Sequence, residues 1–166
     1  WPSPAWSTLF IRKMLENDSI RDVYIRKFTH YLNTTFDTTR VVNHITKIEN
    51  SLIEEFPYHQ KRWNVKPSRM DKSFEHVREF ATQRPAYIRK FMREKFELDT
   101  TYSLTYKNVE NGKIIFDTYK LRDSGTHIFF SGINYKLEAK PNIGYSFKSW
   151  NGLENTEERK QIINLK

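Results

Sequence analysis

The sequence predicts an α+β protein in which an N-terminal antiparallel helical bundle is followed by a small antiparallel β module. Two observations support this class. All five glycines lie beyond residue 111, each beside a turn signal. Apolar residues recur every three to four positions up to about Asp99 and alternate with polar residues beyond it. Because the two changes coincide, we expect a helical bundle over residues 1–98 and a β accessory module over residues 99–166.

Apolar stripes at helical spacing predict four helices before residue 80, and the short connections between them favour antiparallel neighbours. The stripes run over residues 6–14, 20–32, 41–52 and 74–80. Asn17, Asp18 and Ser19 can accept backbone amides at the start of the second helix, and Asp37 can do so at the start of the third. The third helix is expected to end near Phe56-Pro57, ahead of a polar connection over residues 58–67.

Residues 80–96, FATQRPAYIRKFMREKF, join the helical half to the β half. A proline disfavours helical conformation in the residue before it but suits the first position of a helix. The sequence therefore predicts either two helices that meet at Arg84-Pro85 or one sharply kinked helix. We expect Phe28, Phe80 and Phe91 to be buried in the helical core.

Alternating residues predict strands in the second half, bounded by glycine and proline turns. The predicted strands are 102–106, 114–116, 127–131, 134–140 and 161–165, and residues 145–149 continue the alternation towards Trp150. The segment Glu110-Asn111-Gly112-Lys113 predicts a hairpin turn between the first two strands. Tyr135, Leu137 and Ala139 are expected to share one face of the fourth.

The net charge of +8 is spread along the chain, with 18 basic and 13 acidic residues in 1–99 and 10 and 7 in 100–166. No run of five basic residues occurs, so the charge favours a solvated mixed surface and predicts no nucleic-acid partner. A basic helical nucleic-acid binder would require the Arg and Lys residues of the second and fourth helices to converge on one face. The chain contains no cysteine, which excludes disulfides and thiolate chemistry, and no apolar run long enough to span a membrane.

Motifs for catalysis are missing from the sequence. The first 111 residues contain no glycine, so they hold no phosphate-cradling loop. Glu55 and His59 form the nearest metal-ligand pair, but Pro57 between them disrupts the helical register. We therefore predict no catalytic, cofactor-binding or metal-binding residue. If the chain nevertheless bound nucleotide in the presence of metal, Glu55, His59 and Arg62 would be the first residues to test.

Two aromatic features are candidates for binding. Arg62 and Trp63 form a candidate interaction surface, because an exposed Trp beside Arg is typical of interfaces, although a Trp that closes the end of a bundle fits equally well. Tyr145, Phe147 and Trp150 are either core residues or a sugar-stacking platform. In the platform hypothesis, Tyr135 would be exposed beside Tyr145 and Trp150.

Several strings in order give the helical half a family resemblance. TLFIRKMLEND, RDVYIRKFTHYLNTTFD, IENSLIEEFPYHQKRW and VREFATQRPAYIRKF resemble the C-terminal helical portion of the spore-coat protein H (CotH) kinase family. The resemblance implies an atypical kinase-like fold that uses ATP and a divalent metal, with nucleotide and metal residues upstream of this segment. It therefore implies a scaffold role here, with the upstream kinase-like region as partner. The opening WPSPAWSTLF resembles the interior of a longer protein, so we expect a fragment.

The β half resembles a bacterial surface repeat of the internalin B-repeat type. The resemblance lies in Ala139-Lys140-Pro141 and in GYSFKSW, residues 144–150, and it implies a secreted or cell-surface bacterial parent. We therefore expect a non-catalytic C-terminal fragment of an extracytoplasmic CotH-like atypical protein kinase. The fragment would consist of scaffold helices and a β accessory module. It would be inactive alone and would have no cofactor of its own. The alternative is a surface adhesin, or a glycan- or protein-binding module, with no connection to kinases.

Overall fold

Local sequence signals start most of the helices where the structure has them. A computed structural model describes residues 6–107, 109–117, 119–121, 124–153 and 157–164. Its helices are α1 (Leu9–Met14), α2 (Asp18–Asn33), α3 (Thr38–Leu52), α4 (Phe56–Trp63) and α5 (Pro67–Phe96). Both predicted caps are present: the Asn17 Oδ1 accepts the Ile20 amide at 3.2 Å and the Asp37 Oδ1 accepts the Arg40 amide at 3.0 Å.

One proline position differs from the prediction, and the other decides between two predicted alternatives. Pro57 does not end α3 but lies in the first turn of α4, where its missing amide leaves no bond unmade. The predicted connection over residues 58–67 is therefore wrong, because most of it is helix. Pro85 lies inside α5, a single helix of 30 residues, so no second helix begins there.

The strands form two small antiparallel sheets, which confirms the α+β class. β1 (Thr101–Tyr106) pairs with β4 (Gly125–Phe130). The second sheet has the order β3-β2-β5-β6, with β2 at Gly112–Phe116, β3 at Tyr119–Leu121, β5 at Asn134–Pro141 and β6 at Lys160–Asn164. The predicted β1–β2 hairpin is wrong, since β2 pairs with β3 and β5 instead. No strand forms over residues 145–150, and Leu165 lies outside the described residues.

The chain divides into two compact units, the first made of Trp1–His30 with Phe96–Lys166 and the second of Tyr31–Lys95. The core of the first unit is aromatic. The Phe116 and Phe129 rings are stacked at 4.4 Å, and Tyr135 lies 5.4 Å and 5.1 Å from them. Leu137 and Ala139 are buried on the same face of β5 as Tyr135, as predicted. The domain boundary at residues 98–99 stays a prediction.

Helix α2 contributes to this first core through one face. Ile25 and Thr29 are buried there, the Thr29 hydroxyl donates to the Ile25 carbonyl at 2.8 Å, and the Thr29 side chain lies beside that of Tyr135. The predicted core stripe of α2 is correct at Leu32, which is buried, but earlier in the helix the buried residues lie one position further along the chain: Val23 is exposed and Phe28 only half-buried. A shift of one position rotates a helix by about 100°, so it changes which residues meet the core.

The second unit is held by one apolar face of α5 and a few polar contacts. Ala81, Pro85 and Met92 are buried on that face, and Ile45 is buried on α3. Arg78 forms an ion pair with Glu49. Phe56 and Phe74 pack with their ring centroids 5.9 Å apart.

The predicted burial of Phe80 and Phe91 is wrong, because both rings are at least half exposed. Each lies one position from a buried residue, on the neighbouring face of α5. The reason is geometric: α5 carries two apolar stripes at similar spacing, and its neighbours cover the other one.

Candidate functional site

The most prominent surface feature of the second unit is an apolar stripe on α5. Its members follow the alternating three- and four-residue spacing that places side chains along one face of a helix. They are Val77, Phe80, Arg84, Tyr87 and Phe91. The four apolar members are 47%, 57%, 51% and 50% exposed in chain order. We call these five residues the α5 stripe.

Two contacts join neighbouring members of the α5 stripe. The Arg84 guanidinium carbon lies 5.5 Å from the Phe80 ring centroid, within the range of a cation–π contact. The rings of Tyr87 and Phe91 lie 6.4 Å apart. Four large apolar side chains in one row, each about half exposed, are typical of a surface that packs against another protein segment.

The sequence contained the signal for this stripe. The buried positions 81, 85 and 92, with the half-buried position 88, and the stripe positions 77, 80, 84, 87 and 91 repeat with the same three-to-four-residue spacing. Together, the two sets of positions span a wider face of α5 than one neighbouring helix can cover. This width indicates two partners rather than one.

The predicted interaction surface, Arg62 and Trp63, lies at the end of α4. Trp63 is 63% exposed, and the Arg62 guanidinium carbon lies 5.4 Å from the centroid of its ring. Asn64 then ends the helix in a left-handed conformation, with φ of 49°. The exposed ring is what an interface residue requires. Its role as an interaction surface stays a prediction.

Glu55 and His59, the nearest predicted metal pair, are both exposed. Glu55 occupies the position before α4 and makes no side-chain cap bond, and its carbonyl accepts the His59 amide at 3.1 Å. Within the ranges that the structure describes, no three His, Asp or Glu residues are grouped closely enough to hold a metal ion.

The aromatic platform predicted in the β half is only partly assembled. Tyr135 is fully buried, which contradicts its predicted exposure. Its hydroxyl accepts the Phe130 amide at 3.1 Å, so the ring belongs to the core. Tyr145 is 58% exposed, so the core reading is wrong for this residue. Phe147 and Trp150 are half-buried with their ring centroids 5.3 Å apart, and the Trp150 indole donates to the Glu158 carbonyl at 2.9 Å.

A small polar cavity of about 120 Å³ lies between α2 and the four-stranded sheet, and sequence reasoning missed it. Its central group is Asp117, which lies just after β2 with φ of 52°, a conformation that Asp tolerates better than most residues. The Asp117 Oδ1 accepts the Lys136 amide at 3.0 Å and lies 3.9 Å from the Arg26 Nε. The Arg26 side chain also donates to the Asn134 carbonyl at 3.2 Å.

Burial controls the ionisation of this cavity. It raises the pKa of Asp117 above its usual value, although the Lys136 amide and the Arg26 charge act in the opposite direction. Burial, aided by the Lys27 charge, lowers the pKa of His30. The His30 ring lies 3.8 Å from that of Tyr119. The Asp117 carboxylate already binds a backbone amide and faces a guanidinium, so the cavity acts as a structural anchor for α2.

Comparison with known proteins identifies one relationship. The family model described as CotH kinase protein matches residues 1–88, which include α1 to α4 and most of α5. No curated protein and no solved structure matches the chain. In the described part of the chain, no helix is both long and apolar enough to cross a membrane.

Proposed function

The chain belongs to the CotH kinase protein family, and from that premise we propose that its helices are a non-catalytic scaffold of a CotH-like atypical protein kinase. In this proposal the upstream kinase-like region of the parent protein holds the ATP and divalent-metal residues. This chain supplies helices that support that region from outside the active site, and it transfers no phosphate by itself.

The α5 stripe carries this proposal. Val77, Phe80, Arg84 and Tyr87 lie inside the family match, and Phe91 follows it by one turn. Fully burying a large apolar side chain contributes about 1.5–3 kcal/mol, so covering the exposed halves of four such side chains would contribute roughly 4 kcal/mol. A segment of the same domain laid along the α5 stripe would gain this free energy.

The other parts of the proposal rest on the sequence resemblance. The pattern from Ala139 to Trp150 supports a β accessory module of the internalin B-repeat type. Modules of that type are appended to secreted bacterial proteins, so we propose an extracytoplasmic, secreted or cell-surface bacterial parent.

The test is a binding measurement with the upstream region of the parent domain, expressed separately. We expect it to bind this chain. The double variant Phe80→Ser/Tyr87→Ser should weaken binding by more than tenfold, because both half-buried contacts would be lost. Ile162→Ser is the matched control, since Ile162 is an exposed apolar residue of β6. If the double variant and the unmodified chain bound the upstream region with equal affinity, the assignment of the α5 stripe as the scaffold surface would be refuted.

A second measurement tests the absence of catalysis. ATP binding and autophosphorylation are measured with magnesium or manganese, first on this chain and then on the chain extended upstream. We expect both activities only in the extended protein, because phosphoryl transfer depends on positioned metal and phosphate contacts. Metal-dependent nucleotide binding by the short chain would overturn the proposal and direct mutagenesis to Glu55, His59 and Arg62.

A binding module without any kinase connection is the second candidate, and the exposure of Tyr145 favours it. Ile143, two positions earlier in the turn after β5, is fully exposed. Such a surface can stack on a sugar or an aromatic side chain. A glycan or protein ligand whose binding is lost in Tyr145→Ala would support this function, and a ligand retained by that variant would exclude this surface.

A further inference from the structure

An open cleft of about 610 Å³ lies where α4 passes into α5. Its lining includes the basic residues Lys66, Arg69, Lys72 and His76, and two hydroxyl groups, those of Ser68 and Ser73, lie among them. Arg69, Lys72 and His76 are spaced by three or four positions along α5, so their side chains lie on one face of the helix. No carboxylate belongs to the lining that the structure describes.

The three permanent charges of the cleft are not neutralised by the protein. Lys66, Arg69 and Lys72 are exposed, and among the described residues none of them forms an ion pair. By contrast, Arg78 on the same helix is paired with Glu49. Like charges at this spacing repel each other and destabilise a helix, so an anionic partner bound in the cleft would relieve that repulsion.

We propose that this cleft binds a peptide segment that carries phosphoserine. A phosphoserine carries about −1.5 to −2 charges at neutral pH, so roughly two of them balance three cations. Arg and Lys donate charge-assisted hydrogen bonds to phosphate oxygens. The Ser68 hydroxyl and the side-chain amide of Asn64 supply neutral partners for the peptide backbone.

The size and limits of the cleft favour a peptide over a free anion or a DNA duplex. A volume of about 610 Å³ exceeds the needs of a single phosphate, and the half-buried Val65 offers an apolar contact to a neighbouring side chain. A duplex needs a continuous basic track along its phosphates. Here Glu75 and Glu79 follow within two turns of α5 and end the positive surface. The inference is independent of the scaffold role, which depends on the α5 stripe.

The test is a fluorescence-anisotropy titration with a peptide that contains two adjacent phosphoserines and with its unphosphorylated counterpart. We expect saturable binding of the phosphorylated peptide only, weakened as ionic strength rises. The triple variant Lys66→Gln/Arg69→Gln/Lys72→Gln should weaken binding by at least tenfold. The control Lys90→Gln/Arg93→Gln/Lys95→Gln also removes three positive charges, all from the other end of α5, and should change affinity less than twofold.

Further arms separate the sources of negative charge. The single variant Arg69→Glu, confirmed as folded by circular dichroism, should also abolish binding, which guards against misfolding of the triple variant. Inorganic phosphate that displaces the peptide at equal concentration would overturn the peptide assignment in favour of a free anion. Tighter binding of a short DNA duplex would overturn it in favour of a nucleic acid. Equal loss in the control variant would show that net charge, and not the cleft, is responsible.

Discussion

The substitution Phe116→Ala should lower the free energy of unfolding of the first unit more than the substitution of any exposed residue does. Phe116 is fully buried and stacks on Phe129 at 4.4 Å, with Tyr135 5.4 Å away. Emptying an aromatic core site usually costs about 3–5 kcal/mol. The rings on both sides belong to paired strands and cannot collapse into the space, so we expect a value in that range.

The measurement is urea denaturation followed by far-UV circular dichroism and by tryptophan fluorescence, whose coincidence tests two-state behaviour. Phe80→Ala is the matched control, since the same atoms are removed from a ring that is 57% exposed. Its cost should be about 1 kcal/mol, from half-burial and the Arg84 contact. A loss below about 1.5 kcal/mol for Phe116→Ala, or equal losses for the two variants, would refute the assignment of the core.

Three further predictions concern ionisation and backbone geometry. Burial and the Lys27 charge lower the pKa of His30 from 6.5. The folded protein therefore binds the imidazole proton less tightly than the unfolded chain does, so stability falls as pH drops below about 6.5. His30→Gln should flatten that part of a stability–pH curve. Burial raises the pKa of Asp117 from 3.8, so stability falls as pH rises from about 4 through the folded pKa. Asp117→Asn, compared with the unmodified protein in urea, should therefore gain relative stability as pH rises above about 4, and the opposite sign would contradict the burial argument. Gly132 has φ of 73° with open space where a Cβ would lie, so Gly132→Ala should cost about 1–2 kcal/mol from backbone strain alone, and an unchanged melting temperature would argue against that conformation.

The signals that sequence analysis used correctly are local ones. Asn17 and Asp37 cap helices because a side-chain oxygen next to orphan amides stabilises a helix start wherever the rest of the chain goes. The alternation of Tyr135, Leu137 and Ala139 likewise fixes the buried face of β5, because strand geometry places every second residue on the same side. The existence and type of these elements could be predicted for that reason.

Choices among non-local partners could not be predicted. Asn111-Gly112 is a strong hairpin signal, but β2 pairs with β5 because Phe116 packs with Phe129 and Tyr135, which are more distant in sequence. Periodicity on α5 allowed two buried faces and could not tell which one the rest of the unit covers. The anchor at Asp117 was missed because its partner Lys136 is brought close only by the sheet.

The contact between Thr29 and Tyr135 has a consequence for how the protein is made. Roughly a hundred residues separate Thr29 from Tyr135. At about 5–20 residues per second, a ribosome needs about 5–20 s to synthesise the stretch between them. During that time the face of α2 that carries Ile25 has no strand to pack against, while the segment 31–95 can already form its own contacts. The nascent chain therefore exposes the apolar face of α2 until the last strands emerge. A chaperone or translocation factor that shields this face would protect the newly made protein at that stage.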